Sequence, residues 1–169
     1  LFSSWARSSS IFLVSGVERD QMNVVKSLPG IATGPDGRPL VATEGVVVIN
    51  VPKKGTNTGM SNLVVRGVSP ESKILRKNVK ITQGRMFNPG STEIVIGGAV
   101  TRRFANMEIG KTVKFSQREW VIVGIFDAGG TGFDSEIWGD VEPQMQAFNR
   151  QGFSSLTLKL QNAADFDSF

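Results

Sequence analysis

The seven-residue run Trp120–Phe126 (Trp-Val-Ile-Val-Gly-Ile-Phe) constrains the fold more than any other stretch. It is mostly β-branched and apolar at both odd and even positions. Read as a strand it is apolar on both faces, which places it centrally in a sheet. Like Val46–Ile49, the other long apolar run, it falls far short of the ~20 residues a membrane-crossing helix needs. Polar turns bound it. Ser116-Gln117-Arg118 closes a hairpin from Lys111–Phe115, where Val113 and Phe115 alternate with Lys114, onto Glu119–Phe126. Asp127-Ala128-Gly129-Gly130-Thr131-Gly132 follows as the most glycine-dense stretch and reads as a flexible hinge.

The rest of the chain supplies strands and short helices in alternation. Leu1–Ser10 is small and polar, anchored mainly by Trp5. The opening Leu1, with no charged and apolar leader before it, suggests a processed or excised segment. Ile11–Val14 reads as a short buried strand. Ser15-Gly16-Val17-Glu18 matches a capping box for a helix reaching about Leu28, with Met22, Val25 and Leu28 on one face and Pro29-Gly30 as its stop. So abrupt a passage from strand to helix suggests linking residues missing near Ser10–Gly16. Pro35-Asp36-Gly37 is a turn, and Leu40–Val51 and Asn62–Val68 pair as a hairpin whose tip carries Lys53, Lys54 and Gly55. Ser69-Pro70-Glu71 starts a short helix to about Leu75, with Pro at the first helical position.

Val79–Thr82 and Glu93–Gly97 read as strands on either side of Gly84–Phe87 and the Asn88-Pro89-Gly90 turn. Ala99–Phe104 is a short helix with Ala99, Val100 and Phe104 inward and Arg102 and Arg103 outward, where they read as solvated charges, with phosphate binding as the lesser alternative. Ser135-Glu136-Ile137-Trp138 reads as the entry to a helix, Val141–Asn149, which Asp140 can cap and whose apolar face is Val141, Met145 and Phe148. Ser155–Gln161 alternates Leu156, Leu158 and Leu160 with Thr157 and Lys159 as a half-exposed strand. Asp165 begins a helix cut off at Phe169. The whole is α+β in class.

The chemistry available to such a chain is narrow. With no Cys and no His, zinc centres built on those ligands, thiol catalysis and Ser-His-Asp triads are excluded. Lys53-Lys54-Gly55 lacks the Gly-Lys-Ser/Thr of a P-loop and reads as a hairpin tip rather than a phosphate clamp. Gly130-Thr131-Gly132 follows a strand, as a dinucleotide loop should, but has no third spaced Gly and no immediate helix. Asp127, Asp134, Glu136 and Asp140 are too dispersed for a calcium loop and read as caps and surface charges. No catalytic, cofactor-binding or metal-binding residue is assigned. The charge of +4 divides into +3 over residues 1–70, +6 over 71–120 and −5 over 121–169. Phe87, Phe104, Phe115 and Trp120 in the basic part sit in core-like phase, which argues against a nucleic-acid platform.

Several motifs, in order, resemble one family. They are Ser15-Gly16-Val17-Glu18-Arg19-Asp20-Gln21, Leu28-Pro29-Gly30-Ile31, Arg66-Gly67-Val68, Gly84-Arg85-Met86-Phe87 and Glu93-Ile94-Val95-Ile96-Gly97. Trp120-Val121-Ile122-Val123-Gly124-Ile125-Phe126 and Ser135-Glu136-Ile137-Trp138-Gly139-Asp140 complete the set. Together they resemble the periplasmic core domain of MacB-type ABC transporter permeases, the FtsX/LolC-like group. The resemblance implies a porter-like βαβ lobe made from both chain ends, residues 1–74 and 127–169, with a small β-rich lobe of residues 75–126 inserted. It implies an extracytoplasmic domain of an inner-membrane permease, anchored by flanking membrane helices outside this segment. A cytoplasmic ABC ATPase subunit would hydrolyse ATP, which agrees with the missing Walker motifs. A second permease copy and a periplasmic adaptor or lipoprotein are the further partners implied, with no cofactor, no nucleic acid and no catalytic residue. The alternative from another class is a free-standing exported module that uses its basic middle to bind an anionic ligand or envelope polymer. A carboxylate enzyme is the third.

Overall fold

The computed structural model describes residues 11–162 and 164. The expectations for Leu1–Ser10 and for a helix from Asp165 lie outside the described residues. The elements run β1 (Ile11–Val17), α1 (Arg19–Ser27), β2 (Val41–Pro52), β3 (Met60–Val68), α2 (Pro70–Leu75), β4 (Lys80–Gly84), β5 (Glu93–Gly97) and α3 (Gly98–Arg103). There follow β6 (Thr112–Phe115), β7 (Arg118–Asp127), a 3-10 turn (Gly132–Ser135), β8 (Glu136–Asp140), α4 (Val141–Ala147) and β9 (Phe153–Lys159). The fold is α+β, as expected, with all nine strands of the described residues in one mixed sheet ordered β1-β9-β2-β3-β8-β5-β7-β4 and β6 also paired to β7.

Two split βαβ units organise the sheet. β1 and β2 both run antiparallel to β9, which lies between them, and α1 makes the connection. Met22, Val25 and Leu28 of the α1 face pack against Val17, Ile31, Val41, Leu156, Leu158 and Leu160, as their spacing requires. β8 runs parallel to β3 and leads through α4 to β9. Here the sequence expectation fails: Glu136–Asp140 is no helix entry but a strand buried at all five positions. A run of five residues ending in Gly-Asp carries too little periodicity to announce a strand. What makes it one is hydrogen bonding to β3 on one edge and to β5 on the other.

The helix start also moves. Val17 is buried and pairs with Phe153, so β1 continues past Ser15, and Glu18 takes the cap position with Gln21 as its reciprocal partner. Glu18 alone links β1 to α1. β1 is the sheet's outer strand, with Leu13 41% exposed, rather than the buried strand expected. Thr157, expected outward in β9, is buried between the β1 and β2 partners.

β7 lies centrally in its part of the sheet, with β5 on one edge and β6 then β4 on the other. Its two apolar faces are both used, because a β-bulge turns it over. Ile122 pairs with Ile94 but Gly124 with Val95, leaving Val123 as the extra residue. Before the bulge Trp120 and Ile122 enter the larger core with Ile94, Val100, Phe104 and Phe115; after it Phe126 enters a second core with Val95, Phe87 and Trp138. Gly124 has to be glycine there, since a Cβ would stand 2.2 Å from the Arg85 carbonyl oxygen. The hairpin before β7 turns on Ser116 and Gln117, both at positive φ (50° and 59°), as a two-residue type I′ turn demands.

The segment 75–126 and its flanks share more than the sheet. The larger core joins Val47, Val51, Leu63, Val65 and Ile137 from the flanks to residues of β5, α3, β6 and β7. The second joins Val68 and Trp138 to Phe87, Val95 and Phe126.

Candidate functional site

The most densely bonded polar group lies where β2, β3, β8, α2 and the 3-10 turn meet. Strands place three of its four charges, and α2 the fourth. Val46 faces Arg66 across the β2–β3 ladder and Val64 faces Glu136 across β3–β8, so Glu44, Arg66 and Glu136 emerge on one face of the sheet. Arg66 Nε and Nη2 donate to Glu136 at 2.7 and 2.9 Å, and its Nη1 donates to Glu44 at 2.9 Å. Arg76, at the end of α2, donates to the other Glu44 oxygen through Nε and Nη2 at 2.9 and 2.6 Å. Trp138 Nε1 donates to Glu136.

The Glu44 side chain is fully buried, and those of Glu136 and Arg66 are 10% and 15% exposed. Two cations balance two anions, so the cluster is neutral despite its depth. Burial lowers the Arg66 pKa, but its hydrogen bonds and charge attraction to Glu136 and Glu44 outweigh that and raise it. Phe133 of the 3-10 turn covers the cluster, with the Arg66 and Arg76 guanidinium carbons 5.1 and 4.5 Å from its ring centre. It meets Trp138 edge to face at 5.4 Å. The cluster thus ties the chain leaving β7 to the strands on the far side of β8.

The four carboxylates singled out in the sequence have separate structural tasks. Asp127 accepts from the Gly129 N–H at 2.6 Å, and Asp134 accepts from the N–H groups of Ala128 and Gly130 at 2.6 and 2.8 Å. Glu136 belongs to the buried cluster rather than to the surface. Asp140 caps α4 through the Glu142 N–H and accepts from the Gly90 N–H at 2.5 Å. Among the described residues no three carboxylates converge on a metal position. In the Gly130-Thr131-Gly132 segment the Gly130 N–H already serves Asp134, and the amides before it, of Ala128 and Gly129, serve Asp134 and Asp127. The Thr131 hydroxyl donates back to the Ala128 carbonyl.

The same bonds give the joint expected at these residues a defined form. Residues 127–132 form a pinned turn whose glycines stand at φ +68° (Gly129) and +78° (Gly130) because the turn geometry requires it. Proline at those two positions would break the turn itself, since its ring fixes φ near −65°.

The sequence reading missed Glu44, Arg66 and Arg76 as a group. The available signal was a lone charge inside each of two apolar strands, which is rare unless the charge is paired. The reading also separated Lys53 and Lys54 from Arg102 and Arg103, which the structure brings together. Lys53 bridges to Phe104, and the Lys54 N–H donates to the Arg103 carbonyl at 2.9 Å.

Comparison with known proteins matches this architecture. The model of the MacB-like periplasmic core domain family matches residues 3–169. Among solved structures, the extracellular domain of the noncanonic ABC-type transporter YknZ from Gram-positive bacteria superposes with a TM-score of 0.69. It is 14% identical, over 90% of this chain and 78% of that one. The periplasmic region of MacB from Actinobacillus actinomycetemcomitans gives 0.67 and 14% identity, over 92% and 71% of the two chains. A domain of a putative permease protein from Porphyromonas gingivalis gives 0.59 and 13%, over 94% and 78%. No curated protein matches at a significant level. With the family model spanning nearly every residue and these structures sharing the fold, the chain belongs to the MacB-like periplasmic core domain family and is the periplasmic domain of a MacB-like ABC transporter permease.

Proposed function

We propose that the domain is a non-catalytic transmission element. It carries conformational change, driven by ATP hydrolysis in a separate cytoplasmic ATPase subunit, to a substrate or envelope partner outside the inner membrane. The observation that carries this reading is the family match over residues 3–169. Supporting it, the chain has no His or Cys, and the four carboxylates considered for chemistry are all engaged in caps, turns or the buried cluster. The described ends leave side by side, Ile11 being paired with Lys159, which suits a domain tethered on both sides to one membrane. Among the described residues no helix is long and apolar enough to cross that membrane. A second permease copy and a periplasmic adaptor or lipoprotein are the proposed partners.

The division into a frame (residues 1–74 and 127–169) and an insert (75–126) enters the proposal as a description of how the domain is built. In motion the two travel together. Both cores span the β5–β8 seam and the link at residues 127–132 is pinned, so a tilt between them would have to open buried packing. The test is copurification. Intact permease should carry its ATPase and a cargo. A variant in which a short linker replaces residues 11–160 should keep the ATPase and lose the cargo. Normal cargo handling by that variant would contradict the proposal.

A further inference from the structure

We propose that the groove between the tip of the β2–β3 hairpin and the end of α3 binds a soluble, phosphate-bearing anion. Lys53 and Lys54 follow β2 directly, and Arg102 and Arg103 are the last-turn residues of α3. Main-chain bonds fix the two pairs against each other. The Lys54 N–H donates to the Arg103 carbonyl at 2.9 Å, and the Ala105 N–H donates to the Pro52 carbonyl at 3.2 Å. Lys54 Nζ lies 3.4 Å from the Thr101 carbonyl oxygen, at the negative end of α3. Phe104, buried in the larger core, and Ser61 complete the lining. The groove is open to solvent and offers about 370 Å³, more than a single phosphate fills.

No carboxylate in the lining neutralises its charge. Arg19, Arg38, Arg66, Arg76 and Arg85 each pair with a carboxylate, whereas among the described residues none of Lys53, Lys54, Arg102 and Arg103 forms an ion pair. Four cations held together by backbone, with no acid in the lining, repel one another unless an anion sits between them. Two lysines and two arginines lining one groove suit a ligand with several tetrahedral oxyanions, because guanidinium matches phosphate oxygens in pairs.

Position decides the source. β2 runs from Val41, which lies level with Leu158 near the paired chain ends, out to Pro52. At about 3.3 Å per residue the groove is on the order of 35 Å from those ends. On the permease reading that distance puts it away from the tethering membrane, so the phosphate belongs to a soluble molecule rather than to a headgroup of that bilayer.

The test is a two-dimensional amide NMR titration of the full chain with inorganic pyrophosphate, with chloride matching ionic strength in the control. Saturable shifts are expected at Lys53, Lys54, Ser61 and Arg102–Phe104. Affinity should fall about a hundredfold or more in Lys54→Glu/Arg102→Glu, since each removed charge-assisted bond contributes about tenfold or more. Arg102→Gln is the milder variant, and an unchanged spectrum elsewhere certifies its fold. Parallel arms use vesicles of anionic phosphatidylglycerol and an oligoglutamate peptide. Shifts that chloride reproduces, shifts unaltered by Arg102→Gln, or binding confined to the vesicles or to the peptide would each overturn the proposal.

Discussion

Replacing Arg66 with Met removes the guanidinium from the buried cluster while keeping most of the side-chain volume. Three hydrogen bonds are lost, two to Glu136 and one to Glu44. Glu136 keeps Trp138 Nε1, and Glu44 keeps Arg76. The cluster goes from neutral to a net charge of −1 around a carboxylate with no solvent exposure. Breaking a buried pair from one side costs about 3–5 kcal/mol. At about 2–4 °C per kcal/mol for a chain of this size, the midpoint of thermal unfolding should drop by roughly 6–20 °C. Adding Glu136→Gln to Arg66→Met should restore part of the loss, because the stranded charge is then removed. Arg85→Met is the control. Arg85 makes an equally short two-pronged pair with Glu93, but its side chain is 52% exposed, so losing it strands no buried charge and the loss should be clearly smaller. Thermal and urea unfolding of the four proteins decides the matter. Equal losses for Arg66→Met and Arg85→Met, or no rescue by Glu136→Gln, would refute the idea that burial makes this cluster a tie.

The Glu93 carboxyl, hydrogen-bonded by Arg85 and by the Asn88 N–H, titrates at about 2, below its ordinary 4.5. A depressed carboxylate stabilises the fold above its unfolded pKa, so the contribution is complete above about pH 4.5 and disappears as pH falls toward 2. Glu93→Gln should therefore flatten the stability profile between those values, and a carboxyl resonance titrating near pH 4.5 in the native protein would contradict the assignment. Gly97→Ala puts a methyl 2.2 Å from the Asp134 carbonyl oxygen. It should destabilise by about 1–3 kcal/mol and shift amide signals in the 3-10 turn, whereas an unperturbed turn would show that the close approach is slack. Asp134→Ala frees the Ala128 and Gly130 amides and should speed their hydrogen exchange about tenfold or more, leaving β9 unaffected; unchanged exchange would mean the turn is held by other bonds.

The parts of the fold readable from sequence were those in which a local pattern and its partner lie close together. β5, the β6–β7 hairpin and the β2–β3 hairpin announce themselves by alternation and turn residues within a few positions of each other. β8 did not, because what makes Glu136–Asp140 a strand is β3, some 70 residues earlier by the pairing of Glu136 with Val64. The bulge in β7 shows the same limit. Two apolar faces could be read along Trp120–Phe126, but not that one extra residue would deal them to two different cores. Glu44 and Arg66 each looked like an isolated charge in an apolar strand. Only the registers of two ladders reveal that they and Glu136 share a face. The groove formed by Lys53, Lys54, Arg102 and Arg103 depends on a contact between segments some 50 residues apart, which no spacing rule encodes.

Whether the domain moves as one body in the working transporter can be measured by spin-label distances in the intact permease assembled with its ATPase. The chain has no cysteine, and Val24 on α1 and Ile109 before β6 are 61% and 43% exposed, so Val24→Cys and Ile109→Cys place one label on the frame and one on the insert. In a complex with one doubly labelled copy, the Val24–Ile109 distance should be the same without nucleotide and with ATP trapped. With a single label at Val24 on each copy, the separation between domains should change with nucleotide. An ATP-dependent change within the doubly labelled domain, or no change between copies, would contradict rigid transmission.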